Sequence, residues 1–266
     1  LYTSGNIAGG LAPAAFSTFI LFYYVDVLKL PAELIGLGMG IYGVWNAIND
    51  PLLGYLSDKT NTRWGKRLPY IIWGAIPLAL AFFLVWTPPM NIFGGNTTAI
   101  FIYFMVFIFL FDTLYTMVFL NFMALFPAMY RTQSERTRVA SYKQIFIILS
   151  TMVGTAVTPL LYSGIGWTGM AAVYAVITVI SIGISLLGCK EGKEEFTENT
   201  LSPMEAFRTT FRNKSFLVYV TANMMIQLTF VLLQAGMPFY AKYVIKVENF
   251  KVSLLLGIIF ISSLFF

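Results

Sequence analysis

The fold is decided by residues 46–59, which read Asn46-Ala47-Ile48-Asn49-Asp50-Pro51-Leu52-Leu53-Gly54-Tyr55-Leu56-Ser57-Asp58-Lys59. A carboxylate and two amides stand here within an apolar run, and a dense basic loop, residues 59–67, follows. A carboxylate in hydrocarbon is costly, and in membrane helices such a group usually marks a path for an ion or a proton. The stretch therefore predicts a membrane helix that carries a polar site and leaves the lipid at a basic loop.

The composition supports a membrane protein. Of 266 residues, 58% are hydrophobic and 11% are charged, whereas a soluble domain has about 25% charged residues. A soluble all-helical core, the alternative, would need polar helix faces that the apolar segments lack. A bilayer-spanning helix needs about 20 residues. We predict an all-α membrane protein with apolar segments near residues 5–25, 34–57, 69–88, 98–127, 142–163, 168–188, 215–240 and 252–266.

Residue types that are missing or rare exclude several classes of protein. The chain has no His and a single cysteine, Cys189, so it offers neither the commonest general base nor a disulfide or multi-cysteine metal site. The net charge is +5, but the basic residues lie in short loops between apolar segments, where they are typical of membrane topology rather than of nucleic-acid binding. We expect no enzymatic activity, no cofactor, no nucleic-acid partner, and no metal beyond a possible Na⁺.

The basic residues also predict an orientation. Thirteen of the 17 lie in alternate loops, which must share one side of the bilayer. Because basic loops stay in the cytoplasm, we predict a cytoplasmic N-terminus in a bacterial-type inner membrane. These residues are Lys59, Arg63, Lys66, Arg67, Arg131, Arg136, Arg138, Lys143, Lys190, Lys193, Arg208, Arg212 and Lys214. We expect a monomer.

The longest polar connection divides the chain. We predict a six-helix bundle at residues 1–189, a cytoplasmic linker at 190–214, and the start of a second bundle at 215–266. Within the linker, Ser202 and Pro203 are typical of a helix start, and the phenylalanines that follow predict a short amphipathic helix on the membrane surface. Because the chain starts at Leu1 and stops within an apolar run at Phe266, we expect it to be a fragment of a longer protein.

The polar residues of the second segment predict an ion site. Asn46, Asn49 and Asp50 are three and four residues apart, so they share one helix face. Carboxylate and amide oxygens suit a hard monovalent cation, and a carboxylate alone can carry a proton. In the fourth segment, Asp112 and Thr116 also share a face. Either carboxylate could instead be a structural anchor between helices.

The residues after this site predict a cytoplasmic gate. Its members are Gly54, expected to permit close helix approach, and the charged residues Asp58, Lys59, Arg63 and Arg67. Salt bridges in such a cluster can break as two bundles rock. The alternative is simple anchoring of the loop by positive charge.

These residues resemble a known family. The Asn-Asp-Pro run with Arg63-Trp64-Gly65-Lys66, together with residues 24–27, 116–127 and 134–136, is similar to the glycoside-pentoside-hexuronide:cation symporters (melibiose-permease-like), a branch of the major facilitator superfamily. The resemblance implies a fold of two six-helix bundles, of which this chain holds the first and the opening helices of the second. It also implies cation-coupled symport, with H⁺ or Na⁺, of a small organic solute.

The resemblance implies a cation site at Asn46, Asn49, Asp50 and Thr116. The melibiose carriers have an aspartate in place of Asn46, and Asp112 is a hypothetical replacement for it.

The resemblance implies that the solute binds near Lys143 and Gln144. Two carboxylates that bind sugar in the melibiose carriers are replaced by Gly10 and Phe119. Tyr115 is a further candidate, because sugars stack on aromatic rings, although core packing also explains it.

We therefore expect a secondary transporter that works by alternating access. A sugar or glycoside is the leading solute, and a non-sugar or amphipathic, lipid-like substrate is the alternative. An intramembrane enzyme or a non-transporting scaffold is disfavoured.

Overall fold

The computed structural model describes residues 1–130, 132–189, 210, 212–246 and 249–263, with side chains for all of these except 249–250 and 259–263. Within these ranges the long elements are helices. They are α1 (Gly5–Leu21), α2 (Ala32–Lys59), α3 (Leu68–Val85), the single turn α4 (Met90–Phe93), α5 (Thr97–Met129), α6 (Gln133–Met152), α7 (Thr158–Leu186), α8 (Lys214–Phe239) and α9 (Asn249–Ser263).

Long apolar runs form helices because a helix satisfies its own backbone hydrogen bonds where water is absent. Among the described residues, five helical stretches are long and apolar enough to cross a membrane: Tyr2–Val27, Leu68–Val85, Thr97–Met129, Gln133–Leu186 and Lys214–Ile245. Helix α2 is not one of them, because the polar residues around Asn46, Asn49 and Asp50 interrupt its apolar run.

Each of the eight predicted segments contains a helix. The fifth and sixth are parts of one continuous helical stretch, with a break at Gly166, whose φ of 74° and ψ of 170° are not helical. Some helix ends widen into π-helical turns, at Phe22–Val27, Val153–Val157 and Tyr240–Ile245. Residues 202–209 and 211 of the predicted amphipathic helix lie outside the described residues, and so does most of the predicted linker. The division of the chain at residues 189 and 214 stays a prediction.

Helix α1 is central: it packs against α6, α7 and α8, while α3 lies between α5 and α7 and α2 packs on α5. Close approach of α1 to α6 requires Gly10. A Cβ there would lie 2.1 Å from Ser150 Oγ and 3.0 Å from the carbonyl oxygen of Ile147, which is backbone and cannot turn aside.

An aromatic stack closes the core near the C-terminal end of α1. The ring of Trp167 stacks on Trp86 at 5.5 Å between centroids and on Tyr162 at 4.2 Å. Tyr23, from the turn after α1, packs against Trp86 and Trp167 as well and donates a hydrogen bond to the Trp86 carbonyl oxygen. This stack joins the ends of α1, α3 and the first half of α7.

Candidate functional site

The contact between α2 and α5 brings the predicted polar residues together. On α2, Asn46, Asn49 and Asp50 face α5, because residues three and four apart in a helix lie on one side. On α5, Asp112 and Thr116 are one turn apart and both are buried, with 4% and 6% exposed. The five predicted cation-binding residues therefore lie along one helix–helix contact.

Asp112 is the centre of this arrangement. Its Oδ1 accepts hydrogen bonds from Asn46 Nδ2 at 2.8 Å and from the hydroxyl of Tyr42 at 3.1 Å. Its Oδ2 accepts one from Asn49 Nδ2 at 3.1 Å. Asn49 is itself 1% exposed. A buried carboxylate is costly unless its oxygens are hydrogen-bonded, and here both oxygens are bound by neutral donors from one face of α2. We call Asp112, Asn46, Asn49 and Tyr42 the Asp112 cluster.

Asp50 stands beside the Asp112 cluster rather than within it. Its Oδ1 accepts a hydrogen bond from the Thr116 hydroxyl at 2.8 Å, again linking α2 to α5. Unlike Asp112, Asp50 is exposed. The two carboxylates thus differ in setting: one is enclosed between the helices, and the other can meet solvent or an arriving ion.

Sequence reasoning missed two members of this contact. Tyr42 lies four residues before Asn46, so helical spacing places it on the same face of α2. Trp45 donates from its Nε1 to the hydroxyl of Thr113 at 3.2 Å, and Thr113 follows Asp112 directly. The spacing of Tyr42 was a usable signal, but a tyrosine in a membrane helix is so often explained by packing or by the interface that it carried no weight.

The chemistry of the contact suits a small cation or a proton. It combines two carboxylates with amide, hydroxyl and phenolic oxygens, and oxygen ligands of this kind are those that hard cations accept. The amide nitrogens of Asn46 and Asn49 point at Asp112 in this structure, so their carbonyl oxygens are free of that bond. A rotation of either amide would exchange a donor for an acceptor at the carboxylate.

The predicted solute-binding residues lie on α5 and α6. The Lys143 ammonium lies 5.8 Å from the centroid of the Phe126 ring, and its neighbour Gln144 is exposed. Tyr115 donates a hydrogen bond to the Gly9 carbonyl oxygen at 3.0 Å, and its ring lies 4.6 Å from that of Phe119. Phe119 is 4% exposed, so in this conformation it is a packing residue.

The two positions expected to have lost a sugar-binding carboxylate are filled by tight packing. Gly10 lies against Ser150 and the α6 backbone, as described above. A Cβ at the adjacent Gly9 would lie 3.0 Å from the Phe119 ring. An aspartate at position 10 would clash with α6 in this arrangement of helices.

Two of the predicted gate residues, Asp58 and Arg67, contact each other across the α2–α3 connection. Arg67 donates to Asp58 at 2.7 Å, which ties the end of α2 to the start of α3. Lys59 lies over the ring of Tyr55 and Arg63 over the ring of Trp64. These contacts fix the loop, and a gating role for them stays a prediction.

Gly54 does not serve close helix approach as expected. A Cβ there would meet the Leu120 Cδ1 at 3.9 Å, an ordinary van der Waals distance. Close packing therefore does not explain this glycine.

Comparison with known proteins identifies relatives over the whole chain. Residues 1–266 match the family described as MFS/sugar transport protein. The chain is 32% identical to an uncharacterized symporter of Synechocystis sp. over 209 residues, which are 76% of this chain and 38% of that protein. It is 25% identical over 232 residues to the isoprimeverose transporter of Lactiplantibacillus pentosus, covering 84% of this chain and 48% of the transporter.

A third relative is the sodium-dependent lysophosphatidylcholine symporter 1 of Mus musculus. The identity is 25% over 296 residues, covering 97% of this chain and 55% of the symporter. The chain thus spans about half the length of the curated relatives it matches, which are transporters and not enzymes.

Proposed function

Because the chain belongs to the MFS/sugar transport protein family, we propose that it forms the first half and the first helices of the second half of a secondary transporter that couples a small organic solute to H⁺ or Na⁺. The family and the apolar helices make it an integral, multi-pass membrane protein. In the proposed mechanism, two bundles rock around a central site and expose it to each side of the membrane in turn.

The Asp112 cluster is the observation that carries the coupling proposal. Asp112 on α5 is 4% exposed and accepts hydrogen bonds from three neutral donors of α2, and a second carboxylate, Asp50, lies on the same face of α2 as these donors. The donors bind both oxygens of Asp112, but they bring no positive charge. A bound monovalent cation or proton would supply it, and ionisable groups within membrane segments most often serve such a role.

We propose a sugar or glycoside as the solute, and the isoprimeverose transporter among the relatives supports this choice. A lipid-like amphiphile is the second candidate, and a specific observation favours it. At the two positions where the resemblance implies a sugar-binding carboxylate, Gly10 makes a tight helix contact and Phe119 is a buried aromatic ring, so neither position supplies a charge to the α1–α5–α6 region. The lysophosphatidylcholine symporter among the relatives agrees with this alternative.

The proposed orientation places the N-terminus in the cytoplasm of a bacterial-type cell, with the protein acting as a monomer. The exposed basic residues of the α2–α3 connection, Lys59 and Arg63, support the cytoplasmic side for that loop because positive loops are retained there.

Uptake by the full-length protein in proteoliposomes tests the proposal. Sugars, glycosides and lysophospholipids are each offered with a Na⁺ gradient, a proton gradient, or neither, to the parent protein, Asp112→Asn and Asp50→Asn. Glu33→Gln is the matched control, because Glu33 is an exposed carboxylate in the first turn of α2, the helix that carries Asp50. We expect ion-stimulated uptake in the parent and the control, and its loss in both aspartate variants. Ion-stimulated uptake that persists in both would refute the assigned site.

A further inference from the structure

A second buried carboxylate lies where α1 ends. Asp26, in the π-helical turn Phe22–Val27, is 5% exposed. It accepts hydrogen bonds from the Lys242 ammonium and the Tyr243 hydroxyl, and the Lys29 ammonium lies 3.6 Å from its Oδ1. Asp26 thus has two cationic partners, one three residues further along the chain and one 216 residues further along the chain.

These contacts join α1 to the far end of α8. The ring of Phe22 meets Phe239 edge-on, with 5.4 Å between centroids, and Ser17 donates to Gln234 at 3.4 Å. Residues 214–233 of α8 are exposed, whereas Gln234 and Pro238 are half-buried and buried. Among the described residues, α8 is therefore covered at one end of the molecule, the end opposite the basic α2–α3 loop.

The two lysines around Asp26 differ in what they would do if α8 moved away. Lys29 is three residues from Asp26 and moves with it, whereas Lys242 belongs to the π-helical turn Tyr240–Ile245 that follows α8. A buried carboxylate left without any partner is strongly unfavourable. With Lys29 at hand, Asp26 keeps a counter-charge after Lys242 withdraws, so the contact between α1 and α8 can break and form again at modest cost.

A cavity of about 210 Å³ lies directly beside this contact. Phe22, Val27, Tyr162, Trp167, Pro238, Lys242 and Val252 line it. Since Lys242 and Phe22 belong both to the cavity wall and to the contact with Asp26 or Phe239, separation of α8 from α1 would open the cavity to the adjacent side of the membrane.

We propose that the contacts of Asp26 with Lys242 and Tyr243 form a releasable latch that closes this end of the transport path. The latch rests on the proposed function, because a transporter that exposes its site alternately must separate its two halves here in one of its states. Lys29 serves as the partner that Asp26 keeps when the latch is open.

The test is the accessibility of the cavity in the full-length protein. Cys189 is replaced by Ser, and a reporter cysteine is placed at Val252, which lines the cavity and is 5% exposed. The rate of alkylation by a membrane-impermeant maleimide is measured in Asp26→Asn, Lys242→Gln, their combination and Lys242→Arg. Lys246→Gln is the matched control, because Lys246 is an exposed lysine on the same segment.

If the latch exists, Asp26→Asn and Lys242→Gln each raise the rate at which the reporter cysteine is alkylated by about tenfold. This factor corresponds to about 1.4 kcal/mol. The double variant should match the single ones, because residues acting as one contact are not additive. Lys242→Arg and the Lys246→Gln control should keep the parent rate. Unchanged rates in both single variants, or additive rates in the double variant, would overturn the proposal.

Folding is checked separately by size-exclusion chromatography and thermal unfolding. If Asp26→Asn does not fold, Lys242→Gln and Tyr243→Phe decide the matter, since both side chains lie at the exposed edge of the contact. Alkylation needs neither solute nor coupling ion. Faster alkylation without any measurable uptake would support the latch and count against the proposed function. Uptake without faster alkylation would support the proposed function and count against the latch.

Discussion

Asp112 and Asp26 are both buried carboxylates with several hydrogen-bond partners, but their partners differ in charge and in origin. Asp112 is bound by neutral donors that all come from α2, a helix of the same bundle. Asp26 is bound by two lysines and a tyrosine, and Lys242 and Tyr243 come from the segment after α8. A carboxylate with neutral partners still lacks a counter-charge, whereas one with cationic partners has it. The first setting suits a mobile ion, and the second suits a contact between moving parts.

Asp112→Asn should produce the largest effect that separates the two settings. A unit charge about 4 Å from a bound cation contributes on the order of 4 kcal/mol at an effective dielectric constant of 20, so we expect ion affinity to fall at least about 100-fold. Ion-dependent thermal stabilisation of the purified full-length protein measures this affinity. Asp26→Asn serves as the comparison and should keep the parent affinity. An equal loss in both variants would abolish the distinction.

Asn46→Asp should act in the opposite direction. It places a second carboxylate where Asn46 now donates to Asp112 at 2.8 Å, so two like charges face each other without a donor between them. We expect about tenfold tighter Na⁺ binding and a lower melting temperature in Na⁺-free buffer, restored by Na⁺. Asn96→Asp is the control, because Asn96 caps α5 and Asp is an equally good N-cap. A variant that gains no Na⁺ dependence would contradict cation binding at this cluster.

Tyr42→Phe should have a smaller effect, since it removes one donor of three from Asp112. A hydrogen bond to a charged group contributes about 1.5 kcal/mol at the lower end of its range, so we expect ion affinity to change by about tenfold. Tyr103→Phe provides the control: the Tyr103 hydroxyl bonds the carbonyl oxygens of Leu84 and Thr87, away from both carboxylates. Isothermal titration with Na⁺ or a pH titration distinguishes the two variants, and identical binding would show that Tyr42 only packs.

Asp58→Asn should have the smallest effect. The Asp58 side chain is 65% exposed in its ion pair with Arg67, and exposed pairs contribute between about 0 and 1 kcal/mol. We expect a small fall in melting temperature at low salt that disappears at high salt because of screening. A large loss of transport with unchanged stability would instead support the predicted gate at this loop.

Much of the fold could be predicted because its signals are local. Apolar runs located each of the long helices, and the gap predicted between the fifth and sixth segments contains Gly166, where the backbone leaves the helical conformation. At the site, helical spacing placed Asn46, Asn49 and Asp50 on one face correctly.

What spacing could not provide was the pairing across helices. The sequence does not predict that Asn46 and Asn49 both donate to Asp112 while Asp50 accepts from Thr116. This pairing depends on how far α2 is shifted along its axis relative to α5. The Asp26–Lys242 contact joins residues that are 216 positions apart in the sequence, so no local sequence pattern predicts it.

The stack of Trp86, Trp167 and Tyr162 provides an intrinsic fluorescence probe. Trp167 stacks on two aromatic rings and lines the same cavity as Lys242. Indole fluorescence responds to both the polarity and the quenching groups around it. Entry of water beside Lys242 would therefore change the emission wavelength and the intensity of Trp167 fluorescence. Movement at this end of the protein can be followed in real time without attaching any dye.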